Sequence, residues 1–127
     1  MTNRKIMYAT NGIIRKLLKE NGFTDIFFFP HLRFQKDYVI DNFGFDAIAW
    51  MKTLSTRKSI HLFQIKTNQG KPSLAKIKEM SDIEKNYECF CLWINRDTKK
   101  QKIMVYNDAF KDGIEFKDYM VLLEEFM

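Results

Sequence analysis

Asp46, Gln64 and Lys66 stand out because each is a polar residue in or at the end of an otherwise apolar run. The first run covers residues 43–50 and holds Asp46. The second covers residues 60–68 and holds Gln64 and Lys66. Both runs read as short strands, and the polar stretch between them, with Thr53, Ser55 and Thr56, predicts an antiparallel hairpin. Side chains alternate faces along a strand, so Gln64 and Lys66 point the same way. Upstream of them both faces are apolar, with Ile60 and Leu62 on one and Phe63 and Ile65 on the other. That is the pattern of a strand in the middle of a sheet. A lysine at the end of such a strand calls for an oxygen partner, a phosphate or a metal-bound water. Asp46 on the neighbouring strand offers one such oxygen. An acid and an ammonium brought together there can grip a cation and a charged ester. The plainer alternative is a salt bridge at a polar strand end with no chemistry.

The remaining segments must position this pair. Residues 6–20 predict a helix, with Ile6, Ile13, Ile14, Leu17 and Leu18 at helical spacing and Asn21-Gly22 as its stop. Arg4, Lys5, Arg15, Lys16 and Lys19 line its other side, either as a solvated face or as phosphate contacts. Residues 25–29 predict an aromatic strand closed by Pro30. From 31 to 42, Arg33, Phe34, Lys36 and Tyr38 mix cations with aromatics. A strand extension with a loop, an arm across a nucleic-acid groove, and a dimer edge all remain open there, and base stacking competes with ordinary packing.

After the hairpin, residues 69–73 turn the chain, and Ser73 is placed to cap a helix whose apolar stripe is Leu74, Ile77, Met80 and Ile83. Residues 87–94 predict a buried strand, parallel to a neighbour across that helix. A turn at 95–99, a more exposed strand at 101–106 and a helix at 116–126 complete the order, with Tyr119, Leu122, Leu123 and Phe126 turned inward. The expected fold is α/β: a mixed central sheet flanked by helices, in the order α-βββ-α-ββ with a C-terminal helix.

Composition sets the outer limits. The chain has 127 residues, 46% hydrophobic and 29% charged, with 12 Phe, which suits one domain with a real core. No apolar run approaches the ~20 residues of a membrane span, and the basic start leads into a helix pattern instead of a signal-peptide core. A cytoplasmic protein is expected. Cys89 and Cys91, two apart in a strand, cannot easily bridge each other and lack further zinc ligands, so both are expected to be reduced core thiols. The net charge of +5 favours a polyanionic partner such as DNA. His61 faces away from Gln64 and Lys66, and neither it nor His31 belongs to a Ser/His/Asp set. No glycine-rich phosphate loop or dinucleotide fingerprint occurs.

In this order, the segments Arg15-Lys16-Leu17-Leu18-Lys19-Glu20-Asn21-Gly22-Phe23, Gly44-Phe45-Asp46-Ala47-Ile48-Ala49 and Phe63-Gln64-Ile65-Lys66-Thr67 resemble the PD-(D/E)XK nuclease superfamily, nearest to the archaeal Holliday junction resolvases. The resemblance covers roughly residues 4–95. It implies a restriction-endonuclease-like fold over the single domain 1–127 and one or two Mg²⁺ or Mn²⁺ ions. Asp46 would be a metal ligand, Gln64 would take the family's glutamate position, the Ile65 carbonyl would be a further ligand, and Lys66 would position the attacking water. Two positions depart from the family. Gln64 brings an amide oxygen without charge, and Asn11 stands where resolvases carry a glutamate in the first helix. Glu20 lies at the other end of that helix, and Asp41 is the other nearby acid available as a substitute.

The resulting expectation is a metal-dependent DNA endonuclease, structure-specific in the manner of the junction resolvases it resembles, acting as a homodimer. Arg15, Lys16, Arg33, Lys36, Thr67, Asn68, Lys71 and Lys76 would contact the nucleic acid. The alternatives are a catalytically inactive nuclease-fold module that binds nucleic acid or serves assembly, and an interaction protein using the aromatic region from 27 to 38.

Overall fold

The computed structural model describes residues 3–29, 44–51 and 60–124. Its elements are α1 (Asn3–Glu20), β1 (Phe23–Phe28), β2 (Ala47–Met51), β3 (Ile60–Thr67), α2 (Leu74–Tyr87), β4 (Phe90–Asp97), β5 (Lys102–Tyr106), β6 (Ile114–Glu115) and α3 (Phe116–Glu124). The strands form one six-stranded sheet in the order β1-β2-β3-β4-β5-β6. Neighbours are antiparallel except β3 and β4, which run parallel because α2 carries the chain back between them. The register pairs Gln64 with Trp93, Lys66 with Asn95 and Thr67 with Arg96.

Alternation along β3 builds a core on each face. Phe63 and Ile65 join Ile14 and Leu18 of α1, Ile94, Val105, and Phe116, Tyr119 and Leu123 of α3. Leu62 packs on the other side against a cluster that includes Met80 and Ile83 of α2 and Cys91. The expected mixed α/β sheet with helices on both faces is therefore present. Local signals set the helix ends. The Asn21 amide donates to the Leu17 carbonyl at 2.8 Å, and Gly22 takes φ +90° just beyond α1. Ser73 caps α2, its hydroxyl accepting the Lys76 N–H at 3.1 Å.

Several boundaries differ from the sequence expectation. Leu74 is 77% exposed, because the first residue of α2 precedes the turn that packs on the sheet. Ile13 is 40% exposed and lies at the rim of the α1 stripe. The fourth strand starts at Phe90, not 87, since α2 runs on to Tyr87 and ends where Glu88 adopts a left-handed conformation. It also continues through Asn95, Arg96 and Asp97, which the sequence places in a turn. The turn follows, fastened by the Asp97 carboxylate accepting the Lys99 and Lys100 N–H groups at 3.0 Å. These contacts hold the Asp97 carboxyl below its ordinary range, the Lys100 N–H foremost. β6 has two residues, too few for a pattern. Leu122 is half-buried, and Phe126 lies outside the described residues.

Candidate functional site

The site is organised by an irregularity at the start of β2. Ala47 pairs with Phe63, yet the Asp46 N–H also donates to the Phe63 carbonyl, at 2.7 Å. Two residues against one is the count of a β-bulge, which re-aims a side chain where regular pairing ends. On its other side the Asp46 carbonyl accepts the Phe29 N–H at 2.8 Å, so the backbone here is fixed from both sides. The Asp46 carboxylate then accepts the Ile65 N–H at 2.7 Å. The acid is thereby tied to the residue between Gln64 and Lys66.

Gln64 is 2% exposed. Its packing depends on Gly44: a β-carbon there would sit 3.0 Å from Gln64 Nε2 and 3.4 Å from Lys76 Nζ, and the φ of +78° already disfavours other residues. Lys76 thus reaches from α2 back to the start of the bulge, with Glu79 as its ion partner at 3.5 Å. Sequence reasoning made Lys76 a nucleic-acid contact and gave no hint of this approach to Gly44. Lys66 is half-buried, with its ammonium 5.2 Å from the centroid of the Trp93 ring.

Beside this group, a cleft of about 330 Å³ opens between α1 and the end of β3, lined by Ile6, Met7, Thr10 and Asn11 and by residues 65–69. Thr10 and Thr67 join its walls through a hydroxyl pair at 2.6 Å. Asn11 borders the end of β3 across this cleft. Asn68, at φ +56°, is locked by the Thr98 N–H on its side-chain oxygen at 2.9 Å.

The expected nucleic-acid contacts that are described stand on several elements. The Arg15 guanidinium stacks on Phe28 at 4.7 Å, at the β1 edge. Lys16 faces Glu20 at 3.9 Å, one turn on along the exposed side of α1. Lys71 faces Asp112 at 3.7 Å, in the connection between β5 and β6. Arg33, Lys36 and Asp41 lie outside the described residues, as do His31, Phe34 and Tyr38. His61 is fully buried with its Nε2 3.0 Å from the Tyr119 hydroxyl, a packed histidine. Cys89 and Cys91 are buried and not joined in a disulfide, and the Cys91 thiol is pushed well up by the Cys89 thiol first and by burial next.

For a metal, the donors at hand are one carboxylate, one amide and the Ile65 carbonyl. Among the described residues no group of three or more His, Cys, Asp or Glu could hold an ion. This oxygen-only set fits a Mg²⁺ or Mn²⁺ ion that keeps several waters and leans on substrate phosphate, since one or two carboxylates suffice for such sites. It does not fit a dedicated all-protein cage. No protein-family model matches the chain, and no curated protein is significantly similar to it. Among the described residues no helix is long and apolar enough to cross a membrane.

Proposed function

We propose that this protein is a metal-dependent DNA endonuclease of the PD-(D/E)XK type, hydrolysing phosphodiesters at the end of β3 and acting as a homodimer. The observation that carries the reading is the Asp46–Ile65 bond of 2.7 Å, which joins the lone acid to the Gln-x-Lys segment beside an open cleft. The order of elements supports it, with α1 bordering the end of β3 and α2 crossing between two parallel strands. Asp46, Gln64 and the Ile65 carbonyl would hold the ion. A bound Mg²⁺ supplies positive charge against the phosphate and makes water a better nucleophile at neutral pH. The Lys66 ammonium orients the attacking water and offsets charge building on the non-bridging oxygens. Trp93 beneath it limits the rotamers it samples.

The test is incubation with plasmid and four-way-junction DNA in Mg²⁺, Mn²⁺ or chelator. Metal-dependent cutting that vanishes in Asp46→Asn and Lys66→Met is the expected result. No cutting in any metal sinks the assignment. The second reading, a non-catalytic nucleic-acid-binding module, draws on the single carboxylate among the described donors. It expects salt-sensitive binding without cleavage.

A further inference from the structure

We propose that Arg96 forms a subsite for a backbone phosphate of the nucleic acid at the α1 wall of this cleft. The proposal rests on the cleft being a phosphodiester site, and it adds a residue that neither the strand motif nor the resemblance marks.

Arg96 pairs with Thr67 across β3 and β4, and its Nη1 donates to the Thr10 hydroxyl at 3.2 Å. Thr10 is 1% exposed and is joined in turn to Thr67 at 2.6 Å. Arg96 is thus half-buried, and its guanidinium is anchored by the Thr10 hydroxyl, which with Thr67 belongs to the cleft walls. Among the described residues no carboxylate pairs with it, and the neighbouring Asp97 is committed to the Lys99 and Lys100 amides. Other basic residues here are answered already. Lys71 and Lys76 face carboxylates, and Arg15 and Lys66 lie over aromatic rings.

A guanidinium carries five N–H donors in a rigid fork. A neutral hydroxyl takes one of them and cancels none of the charge. Partial burial of that charge costs free energy, which an arriving anion offsets. A phosphate presents two non-bridging oxygens at the spacing of the fork, so a bidentate contact uses the donors that remain. Thr10 fixes the plane of the fork before the anion arrives.

The test is binding of a short labelled duplex by fluorescence anisotropy, in chelator, across a salt titration, with cleavage in Mg²⁺ followed in parallel. Arg96→Ala is expected to lower the slope of log affinity against log salt by about one and to weaken binding roughly tenfold near 0.1 M salt. Arg96→Lys is expected to keep the slope and still bind several-fold more weakly, because a point charge lacks the fork. Should Arg96→Ala not fold, Arg96→Gln keeps a donor for Thr10, removes the charge, and carries the same expected slope. Wild-type slope and affinity in Arg96→Ala or Arg96→Gln overturn the subsite, and so does weaker binding at an unchanged slope. If the slope falls but the wild type never cuts, the subsite stands and the nuclease reading fails. If the wild type cuts and the variants bind as it does, only the subsite fails. A wild type that binds no DNA overturns both.

Discussion

The Asp46 carboxylate takes the Ile65 N–H at 2.7 Å, just where the regular pairing of β2 with β3 ends. A side chain there accepts a hydrogen bond in place of the strand's own carbonyl. One acid therefore has two duties, closing the ladder and supplying charge to the site. The two separate by mutation.

Asp46→Ala removes the acceptor and leaves the Ile65 N–H without it, a loss of about 1–3 kcal/mol for a group screened from water. Asp46→Asn keeps an oxygen for that N–H and is expected to cost less than about 1 kcal/mol, a neutral hydrogen bond replacing a charged one. Both variants are expected to abolish cutting. Urea denaturation beside a plasmid-nicking assay checks the pair. A stable Asp46→Asn that still cuts would show that the carboxylate only closes the ladder.

Gln64→Glu tests the buried amide as a metal ligand. Gln64 is 2% exposed, and a carboxylate there is costly to bury without a cation. The variant is expected to melt lower than wild type in chelator and to recover in millimolar Mn²⁺, with tighter Mn²⁺ binding by calorimetry. Equal Mn²⁺ affinity in the two proteins removes Gln64 from the ligand set.

The sequence carried the sheet further than the site. Residues 60–67 declared a central strand because both faces are apolar up to Gln64, and the parallel β3–β4 pair followed from a capped helix between two apolar runs. Asn95, Arg96 and Asp97 misled because Asn and Asp are turn-forming types and Arg between them is polar. In the fold they extend β4, and only that extension brings Arg96 to Thr10. The two-residue β6 pairs with β5 through backbone groups, which leave no trace in side-chain pattern. Asp46 was legible as a candidate, but its bond to Ile65 was not, because a side chain that accepts a backbone N–H at a strand end leaves no pattern in the sequence. Lys76 was read by helix periodicity, which cannot foresee a long side chain folding back over a glycine.

Lys66→Met keeps an unbranched side chain over Trp93 and removes the charge. The cation–π contact at 5.2 Å is worth roughly 0.5–1 kcal/mol at a partly exposed site, so stability should drop by no more than that. Cutting is expected to fall at least about a hundredfold, in line with the loss of one well-placed electrostatic contact to a transition state. Cutting by Lys66→Met at the wild-type rate would leave Lys66 a packing residue.

Tyr119 gives a pH test of the core, at a distance in sequence from the motif. Burial, more than its charged surroundings, holds its hydroxyl above the ordinary phenol range, and that hydroxyl meets His61 Nε2 at 3.0 Å. The unfolded chain releases this proton near pH 10, about the ordinary tyrosine value, while the folded chain retains it. The unfolded state then binds fewer protons, so the Tyr119 contribution is complete below about pH 10 and declines above it, by up to about 1.4 kcal/mol per pH unit. Tyr119→Phe abolishes that decline and removes the His61 contact, a loss of about 1–3 kcal/mol at pH 8. The stability gap between wild type and Tyr119→Phe should therefore narrow as pH rises from 9 to 11. Tyr106, also pushed up by burial, is common to both proteins and cancels in the comparison. Urea midpoints for the two proteins across this range supply the measurement, and a gap that stays constant would mean that Tyr119 ionises as readily in the fold as in the open chain.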